Sequence, residues 1–234
     1  MQAIIIAGGK GTRLKSFTKG KLPKVLVPLL HQTLLDYIIK YLKKNGCDDI
    51  IICAGYLGNK IKKHIEQNDF GVPIKFSKEK KELGTAGGLH LIKNFLKEEF
   101  FILFGDIYTE INLKKMLAFH KLKKADITLA LHRSDHPQDS TIVRINKNKK
   151  LTKFIEKPGD NWKKHGNLTK TSLYIVKKDV LKFIPRDAKI DFAKDVFSEM
   201  LKERKKLFGY VTKEFAKDIG TPERYKKVLN KLRP

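Results

Sequence analysis

Arginine is scarce in this chain, and acid is scarcer than base. Of fifty Lys and Arg residues only seven are arginines (Arg13, Arg133, Arg144, Arg186, Arg204, Arg224 and Arg233), and 25 Asp and Glu leave a formal net charge of +25 at pH 7. Reading bases and phosphates in pairs relies on the arginine fork. The lysines are instead scattered in short runs such as Lys43-Lys44, Lys80-Lys81 and Lys205-Lys206, with acids between them and no unbroken basic tail. This pattern argues against a nucleic-acid partner and leaves phosphorylated small molecules as the natural anionic ligands. Two cysteines, Cys47 and Cys53, lack C-x-x-C spacing, which excludes a zinc or disulfide framework and predicts reduced thiols. No apolar run approaches the ~18 residues of a membrane span, and Gln2–Ile6 begins no cationic-then-apolar leader. The reading is a soluble, cytoplasmic protein with no membrane partner.

What is present is enough apolar sequence for a core, 41% of 234 residues, in an order that alternates strand and helix. Ile4-Ile5-Ile6 is a β-branched run that ends at Ala7-Gly8-Gly9, so it predicts a buried strand feeding a glycine loop. Thr33 opens a helix: Leu34, Leu35, Ile38, Ile39 and Leu42 keep helical spacing, Asp36 completes a capping box, and Gly46 stands at the C′ position. Strand 50–54, helix 59–66, strand 73–76, helix 85–96, strand 100–104, helix 112–122 and strand 127–131 follow. The fold class is therefore α/β, a mostly parallel sheet covered on both faces by right-handed crossovers. Closely spaced strands at 142–146, 151–156 and 171–176 then predict a small antiparallel excursion, followed by helices over 192–202 and 222–231. No low-complexity linker divides the chain.

The loop Gly8-Gly9-Lys10-Gly11-Thr12-Arg13-Leu14 can close backbone N–H groups on an anion. It is not a dinucleotide fingerprint, which needs glycine at the position of Leu14, and the chain has no Gly-Lys-Ser/Thr for a Walker A loop. Arg13 and, eleven residues on, Lys24 add two cations beside the same loop, as a triphosphate requires. Ala7–Leu14, Pro23-Lys24 and Val27-Pro28, followed in order by Leu83–Gly88, Gly105-Asp106, Glu156-Lys157-Pro158 and Asp218-Ile219-Gly220, resemble the signature of the sugar-1-phosphate nucleotidylyltransferases, the NDP-sugar pyrophosphorylases. The resemblance runs from Met1 to about Tyr225 and is nearest in appearance to the mannose- and D-glycero-D-manno-heptose-1-phosphate guanylyltransferases.

That resemblance implies a three-layer Rossmann-like nucleotide-diphospho-sugar transferase fold in one domain, 1–234, with a nucleotide-binding half at about 1–131 and a sugar-binding half with C-terminal helices at 132–234. The reaction implied is attack of a sugar-1-phosphate oxygen on the α-phosphorus of an NTP, releasing pyrophosphate and forming an NDP-sugar for surface-glycan synthesis. Arg13 and Lys24 would be catalytic. Ala7, Gly8, Gly9, Gly11, Thr12, Gly84, Thr85 and Ala86 would line the nucleotide, and Glu156, Lys157, Thr171 and Ser172 the sugar phosphate. Asp106 and Asp218 would hold Mg²⁺, which accepts two carboxylates and keeps several waters.

Glu79 falls where uridylyl and thymidylyl members carry glutamine. A carboxylate accepts two hydrogen bonds side by side, which suits guanine N1–H and N2–H₂ and favours GTP; the alternative is an exposed residue of the charged run Lys78–Glu82. Lys15 replaces a proline of the thymidylyl and uridylyl members, as in the guanylyltransferases. On the sugar side the chain departs from the pattern: Lys170-Thr171-Ser172 replaces Asn-Ala-Gly before Leu173-Tyr174, and Thr141 replaces a glycine. His132 and His136 precede Pro137 in a non-helical segment, which fits loop residues near the sugar better than a metal pair, and Trp162 fits a ligand cover, an exposed loop or an interface. The sugar stays open, as does a homo-oligomer. Rival readings are uridylyl, thymidylyl or cytidylyl transfer, the last to phosphocholine, and outside enzymes a nucleotide-sugar sensor or a nucleic-acid binder.

Overall fold

The structure is a computed structural model that describes residues 1–11, 14 and 18–233. β1 (Gln2–Ala7) lies between β4 (Asp49–Ala54) and β6 (Glu99–Phe104), parallel to both, and β5 (Ile74–Lys78) extends the parallel set beyond β4. Alternate residues of β1 enter different cores, Ala3 and Ile5 on one face and Ile4 on the other, all fully buried. A strand covered on both faces has no polar side, which is why these segments read as continuous apolar runs.

The first face is covered by α1 (Leu34–Lys44), whose capping box is formed: the Asp36 N–H donates to Thr33 Oγ1 (3.2 Å) and Thr33 N–H to Asp36 Oδ2 (2.7 Å). Gly46 follows at φ +86°, a conformation that favours glycine. α2 (Gly58–Glu66) and α3 (Leu113–Leu122) also form, the latter N-capped by Asn112. A two-residue ribbon, β2 (Pro28–Leu29) with β3 (Gln32–Thr33), precedes α1.

The second half joins the same sheet. β11 (Leu168–Lys177) runs antiparallel to β6 and to β8 (Ile127–Arg133), with β9 (Ile142–Ile145), β10 (Leu151–Ile155) and β12 (Leu207–Val211) beyond; among the described residues this makes one nine-stranded sheet. A separate ribbon pairs β7 (Ile107–Thr109) with β13 (Ala216–Asp218), and α4 (Ser198–Lys202) and α5 (Pro222–Leu232) complete the chain.

Two expected helices are of a different kind. Residues 87–95 form a 3₁₀ helix (Gly87–Phe95), because the segment at 188–190 packs against its start: Gly84 bridges Ile190, and the Ala86 N–H donates to Ile190 O at 3.0 Å. The helix expected over 192–202 begins as a π-helical turn, Phe192–Phe197, before α4. Asp191 caps it by accepting from the Ala193 and Lys194 N–H groups, and Phe192 and Phe197 pack their rings on Tyr174. The strands 107–109, 207–211 and 216–218 have no counterpart in the sequence reading. The first and last are too short to show a period, and all three are made by partners distant in the chain.

Candidate functional site

The carboxyl ends of β1, β5 and β6 open on a cavity of about 380 Å³, the place where open α/β sheets bind ligands. Ala7, Gly8, Gly9, Gly11, Lys24, Glu79, Gly84, Thr85 and Asp106 all line it. Thr12, Arg13 and Lys15 lie outside the described residues. The glycines at the mouth are close to one another: a Cβ added to Gly55 would stand 3.0 Å from Gly8 O.

Glu79 is held at the end of β5 by its own N–H, which donates to Ala54 O at 2.8 Å. Its carboxylate fills space left by glycine, since a Cβ on Gly88 would come within 2.5 Å of Oε1. Burial pushes the Glu79 carboxyl above its ordinary value, Glu82 adds to that, and the Leu83 N–H at 3.4 Å opposes it only in part. The residue is thus a half-buried acceptor facing the cavity, not a member of a solvated charge run.

Two further carboxylates are brought together by β7 and β13, Asp106 in the lining of this cavity and Asp218 in that of a smaller one. Asp106 follows β6 and β7 begins immediately after it; because β13 pairs antiparallel with β7 and the Ile219 N–H donates to Asp106 O at 2.8 Å, Asp218 is delivered beside Asp106. Lys24 Nζ is 2.7 Å from Asp106 Oδ2, whereas Asp106 Oδ1 is buried with no hydrogen-bond partner among the described residues. Asp218 accepts from Arg224 Nη1 at 3.2 Å on both oxygens and from the Gly220 N–H at 2.8 Å. Burial works to raise the Asp218 carboxyl, yet Arg224 and Lys24 hold it below its usual value. Among the described residues no set of three or more His, Cys, Asp and Glu could hold a metal. An orphaned buried carboxylate oxygen beside a second carboxylate fits a hard cation that completes its shell with water and phosphate oxygens.

Arg224 is a site residue that sequence reasoning missed. It also pairs with Asp139 at 2.6 Å, so it ties the loop after β8 to the end of β13. One signal was available: a cation in the first turn after the Thr221 cap opposes the helix dipole, an arrangement that needs a local anion to sustain it.

Beyond Asp218 a smaller cavity of about 50 Å³ is lined by Lys170, Thr171, Ser172, His132, His136 and Lys217. Burial, then Lys217 and His136, push His132 below its ordinary value. Lys217 is taken up by Asp135, which also receives Lys227. Glu156 is exposed and accepts from Thr141 Oγ1 at 3.0 Å, and Lys157 is exposed, at φ +36°, and lines neither cavity.

In the glycine-rich stretch 83–88, Gly84 and Thr85 line the cavity while the backbone is also approached by another segment of the chain. Cβ atoms on Gly84 and Gly87 would come to 2.4 Å from Ile190 O and 2.5 Å from Ala188 O, so the chain itself is what approaches there. The Thr85 hydroxyl donates to Asp191 (2.9 Å) and accepts from the Phe192 N–H (2.9 Å), and Ala86 is wholly buried in the second core, away from the cavity.

The sequence profile of the nucleotidyl transferase family matches residues 2–233. D-glycero-alpha-D-manno-heptose 1-phosphate guanylyltransferase of Campylobacter jejuni is 33% identical over 225 residues, covering 96% of this chain and 97% of that one. The enzyme of the same name from Aneurinibacillus thermoaerophilus is 32% identical over 233 residues, covering 99% and 98%. Among solved structures, HddC from Yersinia pseudotuberculosis complexed with GMP-PN superposes with a TM-score of 0.83 at 25% identity, covering 99% of each chain.

Proposed function

This chain belongs to the nucleotidyl transferase family, and from that premise we propose that it transfers GMP from GTP to a sugar 1-phosphate of the heptose or mannose type. A phosphate oxygen of the sugar attacks the α-phosphorus, the bond to the β-phosphate oxygen breaks, and pyrophosphate and a GDP-sugar leave. The attacking phosphate is already an anion at neutral pH, so no general base is required. Rate must come from positioning and from offsetting charge.

The observation that carries the choice of guanine is Glu79, a half-buried carboxylate aimed into the larger cavity. Two adjacent acceptors match guanine N1–H and N2–H₂, and match no edge of a pyrimidine that presents donor beside acceptor. Both curated guanylyltransferases and the GMP-PN complex of a similar fold support this reading.

Lys24, which lines the larger cavity, is assigned to offsetting triphosphate charge, and the sequence assigns Arg13 the same task. Asp106 and Asp218 fit Mg²⁺, which when bound supplies charge neutralisation between the phosphates and the two carboxylates. Thr171 and Ser172, with Glu156 and Lys157 nearby on the second half, are assigned to the sugar phosphate.

The test is a matrix of GTP, UTP, dTTP and CTP against mannose 1-phosphate, D-glycero-α-D-manno-heptose 1-phosphate and phosphocholine, read as pyrophosphate release with Mg²⁺. Release highest with GTP and a sugar 1-phosphate is expected. No release from any pair overturns the proposal, and a preference for CTP with phosphocholine replaces it.

A further inference from the structure

Lys170 stands at a break in the sheet. β11 pairs with β8 at Lys170↔Leu131 and resumes at Tyr174↔Leu129, so four steps along β11 oppose two along β8. The Thr171 hydroxyl, accepting from the Leu173 N–H at 3.3 Å, holds the bulged segment. The bulged residues Lys170, Thr171 and Ser172 all line the smaller cavity, whose wall includes Asp218.

The ammonium there is half-buried. Its Nζ donates to the Tyr174 hydroxyl at 3.1 Å and lies 5.8 Å from the centre of the same ring. Burial works against its charge, but Tyr174 and the fields of Asp191 and Glu156 outweigh it and keep the group protonated. Among the described residues no carboxylate is in ion-pair contact with it. The other lysines lining the two cavities are all taken: Lys24 by Asp106, Lys10 by Glu82 and Lys217 by Asp135. Among the described residues that line either cavity, Lys170 is therefore the cation without an anion. An ammonium has three donors and one is spent on the Tyr174 hydroxyl, so a phosphate entering the cavity would find the others open to it.

We infer that Lys170 binds the phosphate of the sugar 1-phosphate, an inference that rests on the function proposed above. It adds a group from β11 to the acceptor side, nearer to Asp218 than the exposed Lys157 loop in the sense that both line the same cavity.

The experiment measures mannose 1-phosphate, heptose 1-phosphate and inorganic phosphate by calorimetry, alongside steady-state kinetics, for the wild type, Lys170→Met, Lys170→Arg and Tyr174→Phe. A charge-assisted hydrogen bond predicts that Lys170→Met weakens sugar 1-phosphate binding and raises its KM by about tenfold or more. The KM for GTP should stay near the wild-type value, Lys170→Arg should retain most of the affinity, and Tyr174→Phe, which keeps the ammonium, should bind like the wild type. Thermal melting identifies any variant that fails to fold. Wild-type affinity in a folded Lys170→Met overturns the inference, and so does a loss in Tyr174→Phe equal to that in Lys170→Met, because Lys170 would then act only by placing Tyr174. A wild type that turns over no pair defeats the proposed function instead; the calorimetric arm with inorganic phosphate still decides Lys170.

Discussion

Lys24 and Asp106, 82 residues apart, meet at 2.7 Å and leave the second Asp106 oxygen buried and, among the described residues, without a partner. The ammonium thus occupies the carboxylate that a divalent cation would need. Removing it exposes a competition: Lys24→Met should bind Mn²⁺ more tightly in the absence of nucleotide, by about three- to tenfold, since the cation no longer displaces a charged hydrogen bond. Turnover should fall by about a hundredfold if the ammonium has the proposed role of offsetting phosphate charge during transfer. Electron paramagnetic resonance titration of free Mn²⁺ and kcat measured with GTP check the two halves separately.

With Asp106 in the proposed role of Mg²⁺ ligand, Asp106→Asn should lose turnover by about a hundredfold or more while the fold persists, since one carboxylate oxygen and the charge are removed together. Lys24 then keeps only a neutral partner, so a modest drop in Tm is expected as well. Activity near the wild-type value at saturating Mg²⁺ would show that Asp106 is not a ligand.

Glu79→Gln tests base choice. Glutamine offers one acceptor and one donor where the carboxylate offers two acceptors, so kcat/KM for GTP should fall by about tenfold to a hundredfold while that for UTP or dTTP holds or rises. The carboxyl is raised above its ordinary value by burial, so it protonates at a higher pH than an exposed glutamate. Its acceptor pair is intact above that raised value and is lost as pH falls through it. The KM for GTP in the wild type should accordingly climb on the acid side of neutrality, and the climb should be absent in Glu79→Gln.

How much of this was legible depends on the distance over which each feature is made. The Thr33, Asp36 and Gly46 signals lie within one helix, and all three hold. The partners of Asp218 are not local: β7 and β13 are three-residue strands about a hundred residues apart, with no periodicity to read. Glu79 was legible as a type and register, but its burial comes from Gly8, Gly55 and Gly88 on three separate segments. Arg224 belongs to the same class, for its second partner Asp139 lies 85 positions away.

Arg224 also makes stability depend on pH in a stated direction. Asp218 is held below its usual value, so its contribution is complete above the unfolded carboxylate value of ~3.9 and is lost as pH falls through the lower folded value. Arg224→Leu removes the partner. Its urea midpoint should be lower than the wild type's at pH 7, and the gap should narrow as pH drops below about 4. A gap that stays constant with pH would mean that Arg224 acts by packing alone.

At Gly84 the space that a side chain would need is taken by the chain itself. At φ +76°, with Ile190 O only 2.4 Å from where a Cβ would be, Gly84→Ala meets both an unfavourable backbone conformation and a backbone clash that no rotamer relieves. The cost should be about 2–4 kcal/mol, the sum of a strained left-handed residue and a displaced contact. Gly8→Ala is the contrast: no positive φ is involved and the nearest atoms are the Glu79 carboxylate at 3.5 Å or more, so stability should change little. That methyl group would instead stand in the cavity between β1 and Glu79, and the KM for GTP should rise. Urea denaturation paired with GTP kinetics on the two variants separates a glycine that lets the chain close on itself from one that lets a nucleotide in.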